Sequence, residues 1–224
     1  MPENRTIGGK KVTVYPCAAE NRPVIYLNTF ADEGERVRQI LTEKDCASFT
    51  LVTIGGLNWD HDMSPWAIPP ISPKDTPCTG GADAYLELLI NEIVPSVDKE
   101  LKSVSWRGIA GYSLAGLFAL WSLYETDLFA RAGSMSGSLW FPDFKEFVYA
   151  REPRSFPKKI YFSLGDKEHK TRNPFLKTVR DNTEEIEAFY RARGVETVFR
   201  LNEGNHYQNA AERTAAGIEW LLRD

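Results

Sequence analysis

Cysteine is scarce: the chain has three in 224 residues, Cys17, Cys46 and Cys78, at scattered spacings and with no CxxC pair. That excludes a disulfide framework or a cysteine-based zinc site as an organising device. Basic charge is not in excess either. Lys and Arg number 27 against 31 Asp and Glu, a net charge of −4, so neither nucleic acid nor an anionic membrane surface is expected as a partner. No run approaches the ~18 apolar residues of a membrane span. The first residues, Met1-Pro2-Glu3-Asn4-Arg5, carry no apolar leader core, and the expected location is the cytoplasm. No glycine-rich dinucleotide fingerprint is present, so no cofactor is expected. Histidine is rare too, at positions 61, 169 and 206 only, which makes the placing of each one informative.

What the chain does have is enough apolar material, 42 % of its residues, for a sizeable core. Its length suits one α/β domain over residues 1–224. Lys10–Tyr15 alternate and are β-branched, an outer strand ended by Pro16. Pro23–Asn28 and Phe49–Ile54 are short apolar runs of the kind buried strands give, with a helical stretch from about Glu33 to Leu41 between them. Strand, helix, strand in that order implies a mostly parallel central sheet flanked by crossover helices. A helix is expected from Ala82 to Leu101, where Tyr85, Leu88, Leu89, Ile93 and Val97 recur at spacings of three and four. Val104–Ala110, Lys159–Leu164 and Thr197–Leu201 read as further strands. A short small-residue strand falls within 129–138, an amphipathic helix covers Thr183–Ala192, and a closing helix holds Ala215, Ile218, Trp220 and Leu221.

Residues 57–81 break this rhythm. Pro65, Pro69, Pro70, Pro73 and Pro77 crowd into them, yet Trp59, Met63, Trp66, Ile68 and Ile71 are too apolar to float free. Long loops in compact domains are usually functional, and this one is expected as a lid or pocket wall. It also holds Asp60-His61-Asp62. Adjacent side chains in a loop rarely converge on one ion, so no metal site is assigned. Asp62 suits a bond to loop backbone amides instead.

The most informative stretch is Gly108-Ile109-Ala110-Gly111-Tyr112-Ser113-Leu114-Ala115-Gly116. It reads as a strand end, a sharp turn and a helix start. A serine at such an apex has its hydroxyl exposed, and small flanking residues let strand and helix close around it, the nucleophile elbow of serine hydrolases. Here Ala115 stands at the second glycine position of Gly-x-Ser-x-Gly, with Gly116 one step later. In this arrangement an acid and then a histidine follow the serine in chain order. His206 alone among the histidines lies between the last strand and the last helix. Asp166 and Glu168 both follow the next-to-last strand, and spacing does not decide between them. A neutral imidazole can take the proton of Ser113, and a carboxylate on the far ring nitrogen would fix its tautomer. Oxyanion donors are expected from the Leu114 N–H and from Thr29 or Phe30 after the first central strand. Trp59, Trp66, Ser136, Trp140 and Phe141 are the candidate substrate-pocket residues.

Gly111-Tyr112-Ser113-Leu114-Ala115-Gly116-Leu117-Phe118-Ala119-Leu120-Trp121 resembles the elbow of the esterase D and enterochelin-esterase-like group. Gly165-Asp166-Lys167-Glu168 resembles the acid loop of that group, and Gly204-Asn205-His206 its histidine loop. The resemblance runs from about residue 23 to the end. It implies an α/β-hydrolase fold and carboxylic ester hydrolysis. In that group the acid lies three residues after a loop glycine, which implies Glu168 rather than Asp166. Two departures count against a triscatecholate siderophore as substrate. Asn28-Thr29-Phe30 stands where siderophore esterases have Asp-Gly, and Trp59 stands where some relatives place arginine. The expected function is a serine esterase acting on a small-molecule ester through an acyl-enzyme. The alternatives are an acyltransferase on the same triad and a non-catalytic binding protein of the same fold.

Overall fold

The computed structural model describes residues 2–31, 33–44 and 46–223. Its centre is an eight-stranded sheet. β1 (Glu3–Ile7) and β2 (Lys10–Tyr15) form an antiparallel hairpin at one edge, and β2 runs antiparallel to β4 (Thr50–Gly55). From there the sheet is parallel: β4 pairs with β3 (Arg22–Asn28), β3 with β7 (Val104–Tyr112), then β8 (Arg131–Met135), β9 (Lys159–Gly165) and β10 (Glu196–Asn202). The expected outer strand is β2. β1, outside it, carries too little apolar alternation to be read beforehand.

Helices cover both faces, and each face has its own core. On one side α1 (Glu33–Glu43) and α8 (Ala210–Leu222) bury Val37, Ile40, Leu41, Ile218 and Leu221 against Ile25, Leu27 and Tyr161 of the sheet. On the other, α5 (Leu114–Glu125) packs beside α6 (Phe144–Ala150) and α7 (Val179–Arg191). Every residue of α5 from Leu114 to Tyr124 is buried, which fits a helix apolar on all sides. The expected helix over 82–101 is instead α3 (Ala82–Leu88), a π-turn at Leu89–Ile93, and α4 (Val94–Asp98). Pro95 has no N–H to donate and its ring crowds the carbonyl four residues back; the wide turn absorbs it.

Segment 57–81 is less irregular than its prolines suggest. It contains α2 (Trp59–Asp62) and a two-stranded ribbon of β5 (Ala67–Ile68) and β6 (Cys78–Thr79). Asp62 accepts the Asn58 N–H at 2.8 Å and pairs with Lys10 of β2, while His61 Nδ1 bonds the Thr79 hydroxyl at 2.7 Å. Asp60 bonds the Thr76 hydroxyl. Asp62 thus takes the expected loop-amide bond.

Topology fixes where chemistry can occur. From β3 the chain moves outward to β4, then crosses back to β7 on the other side of β3. Loops leaving β3 and β7 therefore diverge, and ligands bind in the crevice such a reversal opens at the carboxyl ends of parallel strands.

Candidate active site

Ser113 stands in that crevice, between the end of β7 and the start of α5. Its backbone is at φ 59°, ψ −125°, a left-handed conformation that a side-chain-bearing residue holds only when its surroundings impose it. Those surroundings are visible. The Ser113 N–H donates to Met135 O at 3.1 Å, and its carbonyl accepts from Gly116, Leu117 and Ser138. A Cβ on Gly111 would collide with Ala115, and one on Gly116 would lie 3.0 Å from Gly111 O and Gly137 Cα. Ala115 fits, so the close approach is shared between Gly111 and Gly116.

His206 and Glu168 meet the serine from two other loops. His206 Nε2 lies 3.0 Å from Ser113 Oγ, and Nδ1 lies 2.8 Å from Glu168 Oε2. The Glu168 side chain is 6 % exposed. Its Oε1 accepts the Ser136 hydroxyl at 2.8 Å, the Gly165 N–H, and Arg213 Nη1 at 3.2 Å. Burial pushes the carboxyl up, but the hydrogen bond and charge of His206, with the bonds from Gly165 and Ser136, outweigh it and hold Glu168 below the ordinary carboxylate value. Asp166 turns elsewhere: its Oδ1 accepts the Gly204 N–H at 2.8 Å, and that bond lowers its carboxyl. It ties the loop after β9 to the loop after β10.

Ser136, expected as pocket wall, lines the cavity but also orients Glu168. It holds φ 44°, a strained value for serine. Two groups escaped the sequence reading. Ser138 brings its Oγ to 3.4 Å from Ser113 Oγ. Arg213, on α8, donates to Glu168, Ser136, Tyr112 and the Glu203 carbonyl. An isolated arginine in an amphipathic helix gives no signal of this in sequence.

The expected oxyanion donors divide. The Leu114 N–H lies in the first turn of α5, where amides lack intrahelical acceptors. The Thr29 N–H donates to Ile54 O at 2.9 Å, extending the β3–β4 ladder, and is not available. The Phe30 N–H donates to the Glu33 carboxylate at 2.7 Å, as does that of Ala31.

A cavity of about 680 Å³ opens beside Ser113. Trp59 and Trp140 line it, joined by Phe30 and Tyr207, which are 69 % and 88 % exposed at its mouth. Lys74, Lys167 and Lys170 also border it, as do Asp60 and Asp75. Trp66 and Phe141 do not line it. Trp66 donates its Nε1–H to Pro142 O at 3.1 Å and meets the Phe141 ring edge-on at 5.7 Å; Phe141 is 1 % exposed. Phe141 is interior packing, and half-buried Trp66 is held against it by ring contacts with Phe144 and Phe147.

A family model described as "Putative esterase" matches residues 12–210. The chain belongs to this esterase family and is a carboxylic ester hydrolase of the α/β-hydrolase class. Among curated proteins it is similar to "Uncharacterized protein YbbA" of Bacillus subtilis (strain 168), 19 % identical over 89 % of this chain and 85 % of that one. Its fold is similar to an IroE-like serine hydrolase from Shewanella oneidensis, with TM-score 0.81, 18 % identity, and coverage of 99 % of this chain and 80 % of the other. The siderophore hydrolase EstA from Aspergillus nidulans follows at TM-score 0.76, 19 % identity, 99 % and 93 % coverage. No helix among the described residues is long and apolar enough to cross a membrane.

Proposed function

We propose that the chain hydrolyses its ester through Ser113 as nucleophile, His206 as general base and acid, and Glu168 as the acid that orients it. The observation carrying this reading is the unbroken hydrogen-bonded line from Ser113 Oγ through His206 to Glu168, at 3.0 and 2.8 Å. Ser113 Oγ attacks the ester carbonyl carbon as its proton passes to His206 Nε2. Glu168 keeps the other ring proton on Nδ1 and stabilises the imidazolium. The carbonyl oxygen becomes an oxyanion facing the Leu114 N–H and the positive end of α5. Phe30 could add its N–H only by leaving Glu33. Collapse breaks the C–O bond to the alcohol, which takes the proton from His206 and leaves an acyl-Ser113 ester. Water then attacks that ester, giving its proton to His206; collapse breaks the bond between the acyl carbon and Ser113 Oγ, His206 returns the proton to Oγ, and the carboxylic acid leaves.

The pocket supports a substrate class. Its volume lies within the ~300–1,000 Å³ of ordinary small-molecule sites. Phe30, Trp59, Trp140 and Tyr207 offer flat apolar faces that suit an aryl or other planar group. Segment 57–81 forms one wall through Trp59, Ile68 and Ile71 and acts as the cover over the bound group. Replacement of Ser113 by alanine is the test. Turnover of p-nitrophenyl esters should fall by about three or more orders of magnitude, as loss of a triad member does elsewhere. Undiminished turnover in Ser113→Ala would remove Ser113 from the mechanism.

A further inference from the structure

Arg213 is 2 % exposed at its side chain. Burying a guanidinium is costly unless its charge is paired and its N–H groups are bonded. Here those bonds converge on the site from behind. Nη1 donates to Glu168 Oε1 at 3.2 Å, to Ser136 Oγ at 3.2 Å and to the Tyr112 hydroxyl at 3.1 Å; Nη2 donates to Glu203 O at 3.0 Å. Tyr112 in turn donates its hydroxyl to the His206 carbonyl at 2.8 Å. Space for the guanidinium exists because residue 165 is glycine: a Cβ there would lie 3.0 Å from Nη2 and 3.1 Å from Nη1. The end of β7 and the loops after β8, β9 and β10 all terminate on this one side chain.

We infer that Arg213 is a positioning residue whose fixed positive charge sets the pH at which the Glu168–His206 pair can accept the proton of Ser113. The inference rests on the proposed roles of Ser113, His206 and Glu168. Glu168 alone beside His206 would favour a protonated pair. A guanidinium on the opposite carboxylate oxygen offsets part of that negative charge, so the pair loses its extra proton at lower pH. The groups facing Arg213 are Glu168 from the loop after β9, Tyr112 from β7 and neutral Ser136 after β8. Glu203 meets it through the backbone carbonyl only. Tyr161 of β9 also feels its charge, and His206 lies beyond Glu168.

Arg213→Met removes the charge and the donors; Arg213→Gln removes the charge but keeps a donor; Arg213→Lys keeps the charge. In both neutral variants the acidic limb of the kcat/KM profile should move upward by about one pH unit, so that activity near pH 6 falls about tenfold more than activity near pH 8.5. Arg213→Lys should leave the limb within about 0.3 unit of wild type while lowering kcat a few-fold. A limb that stays put in the neutral variants while the rate falls equally at every pH would reduce Arg213 to a structural brace and overturn the inference. So would a lysine variant with its limb displaced as far as that of Arg213→Gln. Where Arg213→Met does not fold, Arg213→Gln, which keeps a donor, decides by the same criterion. The downfield Nδ1–H proton resonance of the Glu168–His206 bond reports the same midpoint without turnover. A wild type inert toward esters would therefore count against the proposed catalytic roles, and an unmoved resonance midpoint against Arg213.

Discussion

Glu168→Gln is nearly isosteric and strikes the hydrogen-bond pattern rather than the shape. Oε1 accepts from Ser136, Gly165 and Arg213, all donors, so the amide oxygen of glutamine is drawn to that side. Its NH₂ then faces His206 Nδ1, where Oε2 of the carboxylate stood at 2.8 Å. Two donors cannot share that gap. His206 must present a lone pair at Nδ1 and carry its proton on Nε2, where it donates to Ser113 instead of accepting from it. The loss expected in kcat is about 10³–10⁴-fold, or about 4–5.5 kcal/mol of transition-state stabilisation. Stability should fall by about 2 kcal/mol, since the bond from buried Arg213 then ends on a neutral amide oxygen and its charge is left unpaired, so the assay must run well below the melting temperature. Steady-state hydrolysis of p-nitrophenyl acetate gives the first number and a melting curve the second. Asp166→Asn is the control: its carboxylate holds the Gly204 N–H rather than His206 Nδ1, and kcat should stay within about threefold. More than about a tenth of wild-type activity in Glu168→Gln, or an equal collapse in Asp166→Asn, would refute the assignment of the acid.

Trp59→Ala should raise KM for aryl esters with little change in melting temperature. Phe141→Ala should instead cost about 3–5 kcal/mol of stability, as emptying a buried aromatic site does, with KM for the surviving folded enzyme near wild type; thermal melts and Michaelis–Menten curves separate the two. Gly165→Ala should lower both stability and kcat, because its Cβ meets Gly204 O and crowds the Arg213 guanidinium; a melt and a p-nitrophenyl acetate assay check it. Because Glu168 is held below its unfolded value of about 4.3, the unfolded state binds the extra proton more readily. Its contribution to stability is then fully present above that value and disappears as pH falls through the lower folded one. Urea melts of wild type and Glu168→Gln should therefore differ most near neutrality and converge in acid.

Much of the fold was legible because buried parallel strands and an all-apolar α5 leave continuous signals. The strand–turn–helix around Ser113 was legible because Gly111 and Gly116 have steric reasons to be glycine. His206 could be placed because histidine is rare and only one follows the last strand. What could not be read depends on contacts across more than one element. Asp166 and Glu168 differ only in which loop amide or ring nitrogen they reach, and spacing carries no such information. Trp66 and Phe141 look like Trp59 and Trp140 in sequence, yet Trp66 turns toward Phe144 and Phe147, and Phe141 is buried against Trp66. Thr29 lost its expected role to the β-ladder, one residue longer than its apolar run. Pro95 announced a break in the helix over 82–101, but not that a π-turn would carry the chain through it. Arg213 shows itself only through partners drawn from four separate parts of the chain.

The most direct test of the account is covalent. The wild-type protein treated with a fluorophosphonate should gain one phosphonyl group, and peptide mass mapping should place it on Ser113 Oγ, with labelling abolished in Ser113→Ala and strongly slowed in His206→Ala. An adduct on another residue, or a folded wild type that takes up none, would contradict it.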